Sequence, residues 1–144
     1  MSLRLGLTAI ATLLAACMGG FAERDLLLDA VREYNDGVRW GRLDQATSHL
    51  PIAARQRLTE RLATLGDELE FSEYDLGRID VEGERARVRV DVSWLIKRRG
   101  LLERTTLEQS WQRKGSSWLL VQENRVAGAP LPLWDEPVAT TAAR

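Results

Sequence analysis

From Arg85 to Ile96 the side chains alternate with a period of two. Ala86, Val88, Val90, Val92, Trp94 and Ile96 share one parity; Arg85, Arg87, Arg89, Asp91 and Ser93 share the other. Successive residues of a strand point to opposite faces, whereas a helix would scatter this set around its whole circumference. The run therefore belongs to a sheet with one face in the core and one in water, the usual habit of antiparallel sheets.

Partners for that strand lie on both sides of it in the sequence. Phe71 to Val81 reads as a strand ending at Glu82-Gly83, Leu101 to Arg113 as a third and Trp118 to Glu123 as a fourth. A turn at Arg98-Arg99 sets Val90 opposite Leu107 and Val88 opposite Gln109, and one at Gly115-Ser116 sets Trp111 opposite Leu120. Both registers gather apolar residues on one face, so they support each other. The first strand fits less simply. Tyr74 and Leu76 have one parity and Ile79 and Val81 the other, which a bulge at Gly77 reconciles. On the outer face the registers place Arg89 opposite Glu108 and Arg85 opposite Asp80. Cross-strand pairing accounts for the arginine stripe, with anionic headgroups as the alternative partner.

Ahead of the sheet the pattern is helical. Leu27, Val31, Tyr34 and Val38 fall on one stripe of a 3.6-residue period, with Gly37 weakening the interior and Gly41 as a stop. A short helix follows over Leu43 to Leu50. Pro51 then opens a third, with Leu58, Leu62 and Leu65 as its stripe and Gly66 at its end. Helices followed by a meander make an α+β domain over 23–126, the helices covering one face of a curved four-stranded antiparallel sheet. Residues 127–144 hold three of the four prolines and show no period, so they read as a mobile tail in which Trp134 has no obvious partner.

The start of the chain has a different character. Arg4 precedes an uncharged run, Leu5 to Cys17, too short to cross a ~30 Å hydrocarbon layer as a helix. Basic start, apolar middle and small residues at the end are the layout of a secretory signal. With 144 residues and a net charge of −1, the remainder suits one domain without the basic surface that nucleic acid requires. One histidine and one cysteine fall short of a zinc site, and the scattered glycines form no phosphate loop, so no metal or cofactor is expected.

Two resemblances add to this reading. Leu14-Ala15-Ala16-Cys17 resembles the lipobox of bacterial lipoprotein precursors. That implies a signal peptide over 1–16, acyl chains on Cys17 as the membrane anchor, and a short tether over 17–22. Met18 stands where many enterobacterial lipoproteins carry a retaining Asp, which implies the periplasmic face of the outer membrane. The element order, with the stretch Tyr34 to Gly41, resembles the nuclear-transport-factor-two-like (cystatin-like) superfamily, which includes ketosteroid isomerases. Leu107 to Trp111 followed by Trp118 is similar to bacterial envelope proteins of that superfamily. The resemblance implies a sheet curled as a cone around a pocket, a scaffold that hosts many functions.

Candidate pocket residues follow from parity. Gln109 lies between Leu107 and Trp111 on the inward side of the third strand, and a buried amide left dry costs about 1–3 kcal/mol. It either meets a ligand or ties down a helix carbonyl. Tyr34, Trp111 and Glu103 complete the set. His49, at a helix junction, reads as bonding a free carbonyl. No Asp aligns with the isomerase base, so catalysis is not expected. Two functions remain: a binding module for a small apolar ligand, and an envelope assembly or scaffold protein acting through a protein surface. A deep, mostly apolar cavity of a few hundred Å³ favours the first, and a filled core with an exposed apolar patch near Trp134 or a helix the second.

Overall fold

The alternating run is the second strand of a four-stranded antiparallel sheet in sequential order. The computed structural model describes residues 8–133, with side chains from residue 20 onward. The lipobox side chains, Trp134 and the rest of 134–144 lie outside what is described. In chain order come α1 (Thr8–Arg39), α2 (Leu43–Ser48), α3 (Ile52–Leu65), a 3-10 turn (Gly66–Glu68), β1 (Leu69–Glu82), β2 (Arg85–Ile96), β3 (Leu101–Lys114) and β4 (Ser117–Gly128). No helix among the described residues is long and apolar enough to cross a membrane.

The sheet's inner face and the α1 stripe make the core. Leu27, Val31, Tyr34 and Val38 are buried against Val88, Val90, Leu107, Trp111 and Leu120. Val90 pairs with Leu107, Val88 with Gln109 and Trp111 with Leu120, as the hairpin turns require. The bulge at Gly77 is present between Leu76 and Ile79. Gly37 has a use that its helix propensity hides. A Cβ there would stand 2.6 Å from the Ala46 backbone nitrogen, so its absence lets α1 and α2 touch.

Several expectations need correction. Asp80 stands opposite Arg87 rather than Arg85, because Gly83, at φ +60°, takes the first turn position instead of the second. Asp80 also pairs with Arg78 on its own strand, at 2.8 Å. The tether over 17–22 is not extended, since α1 runs through it without a break. Gly19 and Gly20 cost a helix about 1 kcal/mol each, and the Ala- and Leu-rich turns on both sides carry them.

The tail begins later than its composition suggests. Sheet pairing continues past Glu123 because β4 has two bulges. One skips Val121, between the pairs Trp111–Leu120 and Ser110–Gln122; the other skips Val126, between Leu107–Arg125 and Thr106–Ala127. Bulges bend and twist a strand, so those on β1 and β4 curl both edges of the sheet around the helices. Beyond Gly128 the chain folds back, and Leu131 and Leu133 are buried in the core.

Candidate functional site

A buried polar cluster sits where α1 crosses β3 and β4. Tyr34 and Asn35 come from α1, Gln109 and Trp111 from the inward parity of β3. Glu123 joins them because of the bulge at Val121. Without that extra residue, Leu120's parity would turn Gln122 inward and Glu123 to water.

Gln109 uses its whole amide. Its Nε2 donates to Asn35 Oδ1 at 3.0 Å and to Glu123 Oε2 at 2.7 Å. Its Oε1 accepts from Asn35 Nδ2 and Trp111 Nε1, both at 3.3 Å. Asn35 Nδ2 also donates to the Val31 carbonyl at 2.7 Å. The amide is thus tied to α1 through the Asn35 side chain, not directly to a helix carbonyl.

Tyr34 differs. Its ring packs edge-on against Trp111, with centroids 6.1 Å apart and planes at 82°. Its hydroxyl is buried and makes no hydrogen bond of good geometry, with the Glu123 carboxylate as the acceptor near it. Burial first, then the charge of Glu123 and the hydroxyl's attraction to that carboxylate, push its ionisation well above the usual tyrosine value, so it stays a neutral donor. Tyr74, nearer the rim, donates to Asp36 Oδ1 at 3.0 Å. Burial and then that carboxylate raise its pKa to about 12.

Gln109, Tyr34 and Trp111 therefore come together, and Glu103 does not. Glu103 keeps the inward parity but pairs with Trp94, six residues and roughly 20 Å along β3 from Gln109. His49 Nδ1 does meet a carbonyl, that of Trp118 at 3.4 Å, while Nε2 lies 2.7 Å from Glu33 Oε2. Thr105, on the same inward parity of β3, is buried; it accepts from Trp94 Nε1 at 2.9 Å and donates to the Ala129 carbonyl at 2.6 Å. Asn35 and Glu123 are the cluster members that sequence reasoning missed. Asn35 could have been found, since it falls four residues after Val31 and three before Val38, on the buried side of the helix. Glu123 had no signal, because nothing in Val121 marks a bulge.

Two spaces adjoin the cluster. The inner one, bounded by Tyr34, Phe71, Tyr74 and Leu107 among others, has a volume of about 20 Å³. That is room for about one water molecule, not the ligand-sized cavity that the cone suggested. The outer one is a groove of about 480 Å³ between α3 and β4, in whose walls Leu50, Ala54 and Leu120 stand beside the polar side chains of Arg57, Glu60 and Gln122. Glu123 and Leu133 line both. Among the described residues no group of three or more His, Cys, Asp or Glu is placed to hold a metal ion. The cluster offers a neutral donor, a carboxylate and an amide pair: groups that orient a polar atom at the end of an apolar space.

No protein-family model matches the chain, and no curated protein does. A solved structure named Rd1NTF2_05, whose name carries five substitutions, is similar to it with a TM-score of 0.52 and 19% sequence identity. The match covers 72% of this chain and 98% of that one. The likeness is one of fold: N-terminal helices against a four-stranded antiparallel sheet, the nuclear-transport-factor-two-like architecture.

Proposed function

We propose that the protein is a non-catalytic binding module, held at the periplasmic face of the outer membrane by acyl chains on Cys17. It takes a small, mostly apolar molecule at the junction of the groove and the polar cluster. The observation that carries the binding reading is the Tyr34 hydroxyl, buried, neutral and without a well-formed hydrogen bond, the Glu123 carboxylate being the acceptor near it. A buried donor whose hydrogen bond is left unmade costs up to about 1–3 kcal/mol, part of which a better-placed acceptor atom on a ligand would recover. The groove on the other side of Glu123 and Leu133, about 480 Å³ and walled by both apolar and charged side chains, falls in the size range of small-molecule sites. The anchor rests on the lipobox resemblance of Leu14 to Cys17 behind an apolar run.

Native mass spectrometry of the protein extracted from its own envelope tests both parts. The expected result is an acylated chain beginning at Cys17 that retains one small molecule. A chain that carries only its acyl groups counts against the ligand. A second reading, envelope assembly through a protein surface, is favoured by the nearly filled interior and by Trp40 and Ile52, which are 62% and 83% exposed. A stoichiometric protein partner in the same spectrum would select it.

A further inference from the structure

Gly128 closes β4 at φ +83°, and a Cβ there would run into the Arg104 carbonyl oxygen. Only glycine can make so tight a turn against β3 at this point. The five residues that follow fold back onto the core and are fastened at both ends. At the near end the Ala129 N–H donates to the Arg104 carbonyl at 2.8 Å, and the Thr105 hydroxyl donates to the Ala129 carbonyl at 2.6 Å. At the far end Arg61 Nε, from α3, donates to the Pro132 carbonyl at 2.6 Å.

Between these fastenings Leu131 and Leu133 are 4% and 3% exposed. Both line the inner space with Tyr34, Asn35 and Glu123, and Leu133 also lines the groove. Leu133 and Glu123 are therefore the wall between the two spaces, and withdrawal of the leucine would join them. The leucines supply the apolar contacts that a ligand's hydrocarbon part would make. They offer no acceptor to the Tyr34 hydroxyl, which makes no well-formed hydrogen bond and has the Glu123 carboxylate near it. A molecule with an apolar chain and a carbonyl or hydroxyl head could replace the leucines and satisfy that donor as well. The Tyr34 hydroxyl is a neutral donor, which a carbonyl or hydroxyl head matches without carrying a charge into the apolar space.

We propose that residues 129–133 are a built-in occupant of the ligand site, a strap that an uncharged amphiphile must displace before it binds. This rests on the binding reading above. The strap's open fraction then sets the apparent affinity, because a ligand that binds only the open form is weakened by that fraction.

The test uses the full chain and two uncharged probes, Nile red and 1-dodecanol. Leu131→Ala/Leu133→Ala is expected to bind Nile red about tenfold more tightly than the unmodified protein, and Arg61→Ala about threefold, as the open fraction rises. Hydrogen exchange of the Ala129 amide should accelerate about tenfold when the unmodified protein is saturated with dodecanol. If the probes bind while Ala129 keeps its protection and the variants bind no more tightly, the strap is overturned and the binding reading survives. If no probe binds any form that circular dichroism shows to be folded, both are overturned. Should the double variant fail to fold, Arg61→Ala and the exchange measurement decide the matter.

Discussion

Gln109 has no spare hydrogen-bonding capacity, and Tyr34, one ring away, has a hydroxyl without a well-formed hydrogen bond. The two should respond to substitution in opposite ways. Gln109→Leu deprives Asn35, Trp111 and Glu123 of a partner at once, so it is expected to cost about 1–3 kcal/mol, read from the urea midpoint. A loss under about 0.5 kcal/mol would show that water enters and takes over the bonds. Tyr34→Phe removes a hydroxyl that makes no well-formed hydrogen bond and has only the Glu123 carboxylate near it, so stability should stay nearly unchanged, while any ligand that accepts from the hydroxyl is weakened. The tyrosines also fix an alkaline limit. Tyr74 titrates near 10 in the unfolded chain and at about 12 in the fold, and Tyr34 is shifted in the same direction. A phenol whose folded pKa is raised stabilises fully below pH 10 and loses that contribution as pH climbs from about 10 to about 12. Thermal midpoints measured from about pH 8 upward should fall through that window. The fall should be shallower in the Tyr34→Phe/Tyr74→Phe variant.

Among the elements, the crossing of α1 and α2 is the least tolerant contact. Gly37→Ala gains up to about 1 kcal/mol of helix propensity, but its Cβ meets the Ala46 backbone, which no rotamer change relieves. Overpacking costs about 1–3 kcal/mol, so a net loss is expected in thermal or urea unfolding. Trp111→Ala and Trp94→Ala, both rings buried on the sheet's inner face, should each cost about 3–5 kcal/mol. These positions also show what can be read from the chain. The inward parity of Trp94 and Trp111 was legible because a strand writes its two faces directly as alternation. Gly77 announced its bulge because glycine is the residue a bulge selects. The bulges at Val121 and Val126 were illegible, since valine suits a regular strand as well. That silence hid Glu123 and the later half of β4. Leu131 and Leu133 were likewise lost in a proline-rich stretch, where composition points to disorder and only a tertiary contact overrides it.

At the scale of the whole molecule, one helix joins the proposed anchor to the candidate site. α1 runs without a break from Thr8 to Arg39, so Cys17 and Tyr34 lie on a single rod. Seventeen residues at about 1.5 Å each put the polar cluster roughly 25 Å along that rod from the cysteine. Among the described side chains of α1, Phe21 and Leu26 are exposed and the core stripe begins at Leu27. Loss of the acyl chains should then change where the protein resides and leave the domain as it is. Cys17→Ser is expected to accumulate uncleaved precursor or to release the protein from the membrane fraction. The released form should unfold at the same urea midpoint as the acylated form in detergent. Normal processing with undiminished membrane association would refute the anchor. A lowered midpoint would refute the independence of anchor and fold, because it would mean that the first turns of α1 contribute to holding the cone together.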